Sequence, residues 1–255
     1  MKYIQPRLSY TVWFSQRTGS TLLCRALQST GIAGNPSEWL YHPNRSSLLD
    51  KYQLDSYAKL QQHLWQLGTT ANGIFGVKTG IFEPHFSNII DTFRQFPGCD
   101  LQSDNRVEIW HNALPNCKHI YMTRRNKVRL AVSWWKAIKS AEWHRKRGKK
   151  PRTEDIKNKY NYKAIAHLFA ECNMREAAIQ DFFDEGSIVP LTIVYEDFIL
   201  SYEKTIRKIF RYLELDDSGN ILIQPPPLER LADNISEEWV QRFRNERQQG
   251  WNNYW

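Results

Sequence analysis

Within seven residues, Ser15-Gln16-Arg17-Thr18-Gly19-Ser20-Thr21 assembles one arginine, four hydroxyl side chains and a glycine. Together these residue types bind anions: a fixed charge, several O–H donors and a backbone free to bend. Tyr10-Thr11-Val12-Trp13-Phe14 before them is apolar and rich in β-branched and aromatic residues, which reads as a buried strand. Leu22, Leu23, Ala26 and Leu27 after them recur at helical spacing. A strand, a glycine-containing turn and a helix aim backbone N–H groups and a helix N-terminus at one point, where an anion is welcome. A plain capping turn needs no cation there, and Arg17 at the positive end of a helix dipole is unfavourable unless an anion joins it. The turn is not that of a nucleotide triphosphatase, because Ser20 follows Gly19 where Gly-x4-Gly-Lys-Ser/Thr would place lysine. The later strand at 119–123 runs into Arg124-Arg125, not into a magnesium-holding carboxylate. The residues describe a phosphate neutralised by arginine, with no metal site.

Arg124-Arg125-Asn126 opens a second strand-to-helix junction, with Asn126 as N-cap and Val128, Ala131, Val132, Trp135 and Ile138 on the helix that follows. Arg125 and Ser133 stand eight positions apart, roughly 10–12 Å of helix. They converge on one phosphate if Arg125 folds back from the strand end. Two basic junctions on one sheet predict a ligand with two separated anionic groups. Three further residues face that chemistry from other segments. Glu38, beside Trp39 and Tyr41 in the loop at 31–42, becomes a stronger base if those rings shield it; otherwise it is a solvated charge. His42 is a base or a polar lining residue. Lys78, ending the apolar run at 73–78, faces an anion or solvent.

The elements that must position these groups alternate along the chain. Helical periodicity covers 47–72, 83–96, 162–184 and 201–213, with a last helix starting near Ser236. A further strand spans 187–194, where Pro190 argues for an edge or a bulge. This order predicts an α/β fold, a mostly parallel sheet flanked by helices on both faces, built as a single domain over 1–255. The net charge of +8 owes six charges to the run at 145–152, read as a solvated, mobile connection; the remainder carries +2, too little for a nucleic-acid face. Cys24, Cys99, Cys117 and Cys172 form no Cys-x-x-Cys pair and read as reduced thiols. With no signal sequence and no apolar stretch near the ~20 residues that span a bilayer, the expectation is a cytoplasmic protein without stable membrane association. The 10 tryptophans exceed what packing alone requires and suit stacking on a sugar or heterocycle.

Residues 14–23 resemble the 5′-phosphosulfate loop of sulfotransferases that use 3′-phosphoadenosine 5′-phosphosulfate (PAPS), and residues 121–134 resemble their 3′-phosphate motif. The segments 34–39, Trp143-His144, 194–197 and 228–239 are similar to the bacterial trehalose 2-sulfotransferase group. The resemblance implies a P-loop-like sulfotransferase fold and in-line transfer of a sulfuryl group to a hydroxyl acceptor, leaving adenosine 3′,5′-bisphosphate (PAP). It implies that Arg17, Thr18, Gly19, Ser20 and Thr21 hold the phosphosulfate, Arg125 and Ser133 the 3′-phosphate, and Arg230 the cofactor's far side. It makes Glu38 the general base; the residues themselves suggest Arg17 as catalytic cation, and Trp39, His42 and Lys78 as acceptor contacts. His144 is the other candidate base. Residues 79–82 and 99–116 do not match the trehalose enzymes, so a saccharide and a polar natural product both stay open as acceptor, as does a homodimer. A metal-dependent nucleotide kinase and a non-catalytic anion- or nucleic-acid-binding module are the rival classes.

Overall fold

A computed structural model of the chain describes residues 5–43, 45–150, 156–216 and 221–250. The apolar stretch before the hydroxyl-rich turn forms β1 (Leu8–Phe14), buried at every position but the last. It pairs in parallel with β2 (Ile74–Thr79) on one side and β3 (Lys118–Thr123) on the other, and β4 (Leu191–Val194) extends the sheet beyond β3. The strand order β2-β1-β3-β4 reverses direction at β1, and open parallel sheets bind ligands outside the carboxyl ends of the strands at such a reversal. The two basic turns follow β1 and β3, so the topology alone puts both at that crevice.

In chain order the helices are α1 (Ser20–Ser29), α2 (Leu48–Tyr52), α3 (Tyr57–Gly68), α4 (His85–Arg94), α5 (Arg106–Ala113), α6 (Lys127–Ser140), α7 (Tyr162–Glu185), α8 (Tyr195–Leu200), α9 (Tyr202–Tyr212) and α10 (Asn234–Gln248). Alternation along β1 sends Tyr10 and Val12 against Leu23 and Leu27 of α1 and Ile206, Ile209 and Phe210 of α9. Trp13 points the other way, into Phe86 of α4, Trp110 of α5 and Phe182 of α7. Its ring centre lies 4.8 Å from Trp110 and 4.9 Å from Phe182. A third cluster joins α6, α7 and α10 through Leu130, Ile165 and Trp239. Helices therefore cover both faces of a parallel sheet, as expected.

Several elements depart from the periodicity reading. The helix at 47–72 is two helices, because Gln53 adopts φ 55° and ends α2, and Ser56 then caps α3 by accepting from the Lys59 amide. Helix α5 went unread; its signals were the Asn105 cap and the spacing of Val107, Trp110, Ile109 and Ala113. The strand at 187–194 contracts to four residues, beginning just after Pro190, which has no N–H for a ladder. The last helix starts earlier than expected, because Asp233 and Ser236 form a reciprocal capping box. The basic run is also tied down over its first half. The Arg147 amide donates to Pro227 O (3.0 Å) and the Glu229 amide to Arg145 O (2.8 Å), while Arg145 is ion-paired with Glu142. Pro151 and Arg152 lie outside the described residues.

Behind the sheet, Trp13 Nε1 donates to His119 Nδ1 (2.9 Å), and His119 Nε2 meets His111 Nε2 at 2.9 Å. With Nδ1 accepting, neutral His119 carries its proton on Nε2 and donates it to His111. Burial, and then the neighbouring His111, pull the His119 imidazolium down to about 3. The unfolded chain therefore binds this proton more readily than the folded one, so the stabilisation is complete above the ordinary value of 6.5 and is lost as pH falls toward 3. The urea midpoint is expected to fall steadily over that window. His119→Asn, which keeps an acceptor for Trp13, should flatten the slope, and a slope identical to wild type would remove His119 as its source.

Candidate active site

The turn after β1 is built around two left-handed residues, Arg17 at φ 66° and Gly19 at φ 87°. A side chain at Gly19 would also strike Tyr195, whose Cδ2 lies 2.4 Å from the position of a Cβ. The buried Thr18 hydroxyl donates to Ser15 O (2.8 Å), so it closes the turn from inside and does not reach the cavity. No side chain caps α1, and its first turn holds no acidic residue. Its leading amides are thus left for an external acceptor. Arg17 crosses to the second junction, where its Nε donates to Ser133 Oγ (3.1 Å) and a terminal nitrogen to Trp143 O. Burial, followed by the cation of Arg124, pulls the Arg17 guanidinium down to about 10.

A cavity of about 770 Å³ opens over these turns, and Arg17, Gly19, Ser20, Thr21, Ser133, Arg230, Glu38 and Lys78 all line it. The second junction differs from the expectation in which arginine it offers. Arg125 turns outward, pairs with Asp197 at 2.8 Å and is not among the lining residues. Arg124 lines the cavity instead, its guanidinium 4.9 Å from the Tyr195 ring and 3.6 Å from Glu196. Its Nε is buried without a hydrogen-bond partner. Glu196 accepts from the Arg125 amide (2.9 Å), which fixes the backbone so that adjacent side chains diverge. Spacing to Ser133 favoured Arg125; the neighbouring arginine was equally visible, but its direction depends on α8.

Across the cavity, Glu38 is ion-paired with Lys78 at 2.6 Å, and Lys78 also donates to Thr21 Oγ1 at 3.1 Å. Lys78 is buried, so the expected alternatives resolve in favour of the anion, which is Glu38. Trp39 does not shield that carboxylate; its Nε1 donates to Asn35 O (3.0 Å) and its ring packs on the core. His42 likewise stays outside the lining, its ring 6.0 Å from His85. Tyr41, Phe82, His85, Trp143 and His144 form the wall there. Burial pulls both His85 and His144 down to about 4, with His42 and Arg17 respectively as the next contributors. Both imidazoles are neutral and weakly basic at neutral pH.

Glu176, from α7, was not foreseen. It accepts from Ser15 Oγ (2.9 Å), Tyr121 OH (3.0 Å) and Thr123 Oγ1 (2.9 Å), and pairs with Lys127 at the start of α6. One buried carboxylate thus ties the turn after β1 to the end of β3 and the helix beyond it.

Fold and site define a class: a parallel α/β protein with a cavity between two arginine-bearing junctions, opposite a carboxylate. The particular family follows from comparison. Residues 9–246 match the Stf0 sulphotransferase family, and the chain belongs to it. It is 29% identical over 267 aligned residues to a trehalose 2-sulfotransferase of Mycolicibacterium smegmatis, covering 94% of this chain and 96% of that one. A trehalose 2-sulfotransferase of Mycobacterium tuberculosis is 27% identical, with 93% and 94% covered. Among solved structures, the sulfotransferase domain of the Synechococcus PCC 7002 olefin synthase aligns over 96% of this chain and 90% of its own, at TM-score 0.43 and 15% identity.

Glu176→Gln leaves Lys127 without its counter-charge in a site where the Glu176 side chain is 10% exposed. Removing one partner of a buried pair costs about 3–5 kcal/mol. The melting temperature should fall, and amide exchange in the folded variant should quicken at the turn after β1 and at the start of α6. A lower melting point with unchanged exchange at both places would mean that Glu176 supports the fold without setting the site.

Proposed function

We propose that the protein transfers a sulfuryl group from PAPS to a hydroxyl of a small-molecule acceptor, with PAP as the other product. The observation that carries this reading is the convergence of Arg17 and Arg124 on one cavity wall with the uncapped start of α1. Two half-buried guanidiniums that repel each other, one of them paired only loosely with Glu196 at 3.6 Å, leave this wall with excess positive charge. The donor has the charge that this wall lacks. In this reading Ser20, Thr21 and the first amides of α1 hold the 5′-phosphosulfate, and Arg124 and Ser133 hold the 3′-phosphate, with Arg230 beside them. The Thr18 hydroxyl and Gly19 shape the turn.

When bound, the donor supplies an activated sulfuryl group. Arg17 then lies where negative charge develops on the oxygen that leaves, and a preorganised cation there stabilises the transition state. The acceptor hydroxyl must lose its proton as it attacks sulfur. Glu38 takes it, and Lys78, in contact with both Glu38 and Thr21, holds base and donor turn together. Of the histidine alternatives, His42 lies outside the cavity, while His144 lines it and is the rival that mutation must separate from Glu38. Tyr41, Phe82 and Trp143 give the acceptor end flat apolar surfaces for a saccharide ring or a hydroxylated natural product. The relatives' names place a disaccharide in the family, which supports the saccharide class. The four thiols are unpaired, which fits a reducing cytoplasm.

Two measurements test this. Charge-assisted hydrogen bonds contribute roughly 1.5–3 kcal/mol each, so Arg124→Ala should weaken PAP by about ten- to a hundredfold while sparing adenosine 5′-phosphosulfate. Arg125→Ala should change either by much less, and the reverse ranking would return the 3′-phosphate to Arg125. Glu38→Gln keeps the side chain's shape but accepts no proton, so turnover should drop about 10²–10⁴-fold with donor affinity retained. Near-normal turnover in Glu38→Gln together with a dead His144→Gln would make histidine the base.

A further inference from the structure

Resting on the sulfotransferase reading, we propose that the acceptor carries a carboxylate besides the hydroxyl that takes the sulfuryl group, and that Arg175 holds it. Arg175 projects from α7 into the cavity. Its guanidinium carbon lies 4.5 Å from the centre of the Phe82 ring and 5.1 Å from that of Trp134. A guanidinium packed on aromatic rings keeps its N–H edges for partners in its own plane. One edge is used, since Nε donates to Glu171 at 3.2 Å. Among the described residues nothing accepts a hydrogen bond from the two terminal nitrogens. With the side chain 19% exposed, they are open to the cavity and not sealed in the core. The result is a stiffened two-donor fork, the geometry that carboxylates take bidentately.

Its position assigns the fork to the acceptor. Phe82 stacks on His85 at 4.7 Å, and His85 meets Tyr41 at 5.6 Å, on the same loop as Glu38. The cations of the two junctions, Arg17 and Arg124, contact Ser133 and Tyr195 instead. Nearby acids leave the terminal nitrogens open: Glu38 is paired with Lys78, and Glu171, which pairs with Arg175, engages only Nε. Neutral His85 adds no second cation beside it. A neutral polyol would leave this fork with weak partners, whereas an acid group in plane would satisfy both nitrogens.

The test uses matched acceptor pairs that differ in one group: methyl glucoside against methyl glucuronide, and 4-hydroxybenzyl alcohol against 4-hydroxybenzoate. Binding to the full chain is measured by calorimetry, with and without saturating PAP. In at least one pair the acid should bind about ten- to a hundredfold more tightly than its neutral partner. Arg175→Met should abolish that preference and Arg175→Lys should keep only part of it. Affinity for PAP and for the neutral member should move less than about threefold in both variants. If neither acid outbinds its neutral partner, the proposal is overturned. It is overturned equally if Arg175→Met weakens PAP as much as it weakens the acid, because the fork would then serve the donor. Failure of PAP to bind wild type counts against the sulfotransferase reading instead, and the acid preference remains measurable without it.

Discussion

The carboxylate of Glu176 is the constraint on which the site depends. Four donors from three elements end on it, and each comes from a residue at or next to a basic junction: Ser15 after β1, Tyr121 and Thr123 at the end of β3, and Lys127 at the start of α6. Hydrogen bonds between β1 and β3 fix the register of the strands but not the turns beyond them. A buried charge accepting from both turns does, because any relative shift would leave a donor or the carboxylate unsatisfied, and such groups are expensive in a low-dielectric interior. The distance between Arg17 and Arg124, and hence between the two anionic ends of any ligand they share, is set from behind by α7. The same helix places Arg175 one residue earlier, facing the cavity, so one element fixes the two junctions and lines the space between them.

Much of this was legible in the residues, for identifiable reasons. Strand-turn-helix patterns are local, so both junctions, the parallel sheet and the Asn126 cap could be read from adjacent side chains. Arg17, Ser133, Glu38 and Lys78 line one cavity. What adjacent side chains do not reveal is direction and distance. Arg124 and Arg125 are neighbours in one tripeptide, and only the bond from the Arg125 amide to Glu196 of α8 decides which side chain turns inward. Trp39 and His42 sit in the right loop, yet the Trp39 indole is drawn into the core by Asn35 and the apolar cluster around α3. Thr18 reads as a donor, but its hydroxyl bonds the backbone three residues back. Glu176 gave no local signal, because a lone glutamate in a long amphipathic helix looks solvated until the sheet is folded against it.

The distribution of charge follows from the same packing. The cations of the two junctions are arginines, and even Arg17, pulled down to about 10 by burial and by Arg124, stays charged at neutral pH. The imidazoles that line the same cavity, His85 and His144, are pulled to about 4 and stay neutral at neutral pH. Between roughly pH 5 and 9 neither set changes its charge, so the positive field of the cavity is constant across the physiological range. Histidine in place of either arginine would have tied anion binding to small changes in pH. Arginine does not, and the desolvation that makes these guanidiniums costly without a ligand is what makes an anion between them favourable. The site is therefore strongly positive by itself, and the separation of its two arginines is a consequence of where α7 and α8 hold the ends of β1 and β3.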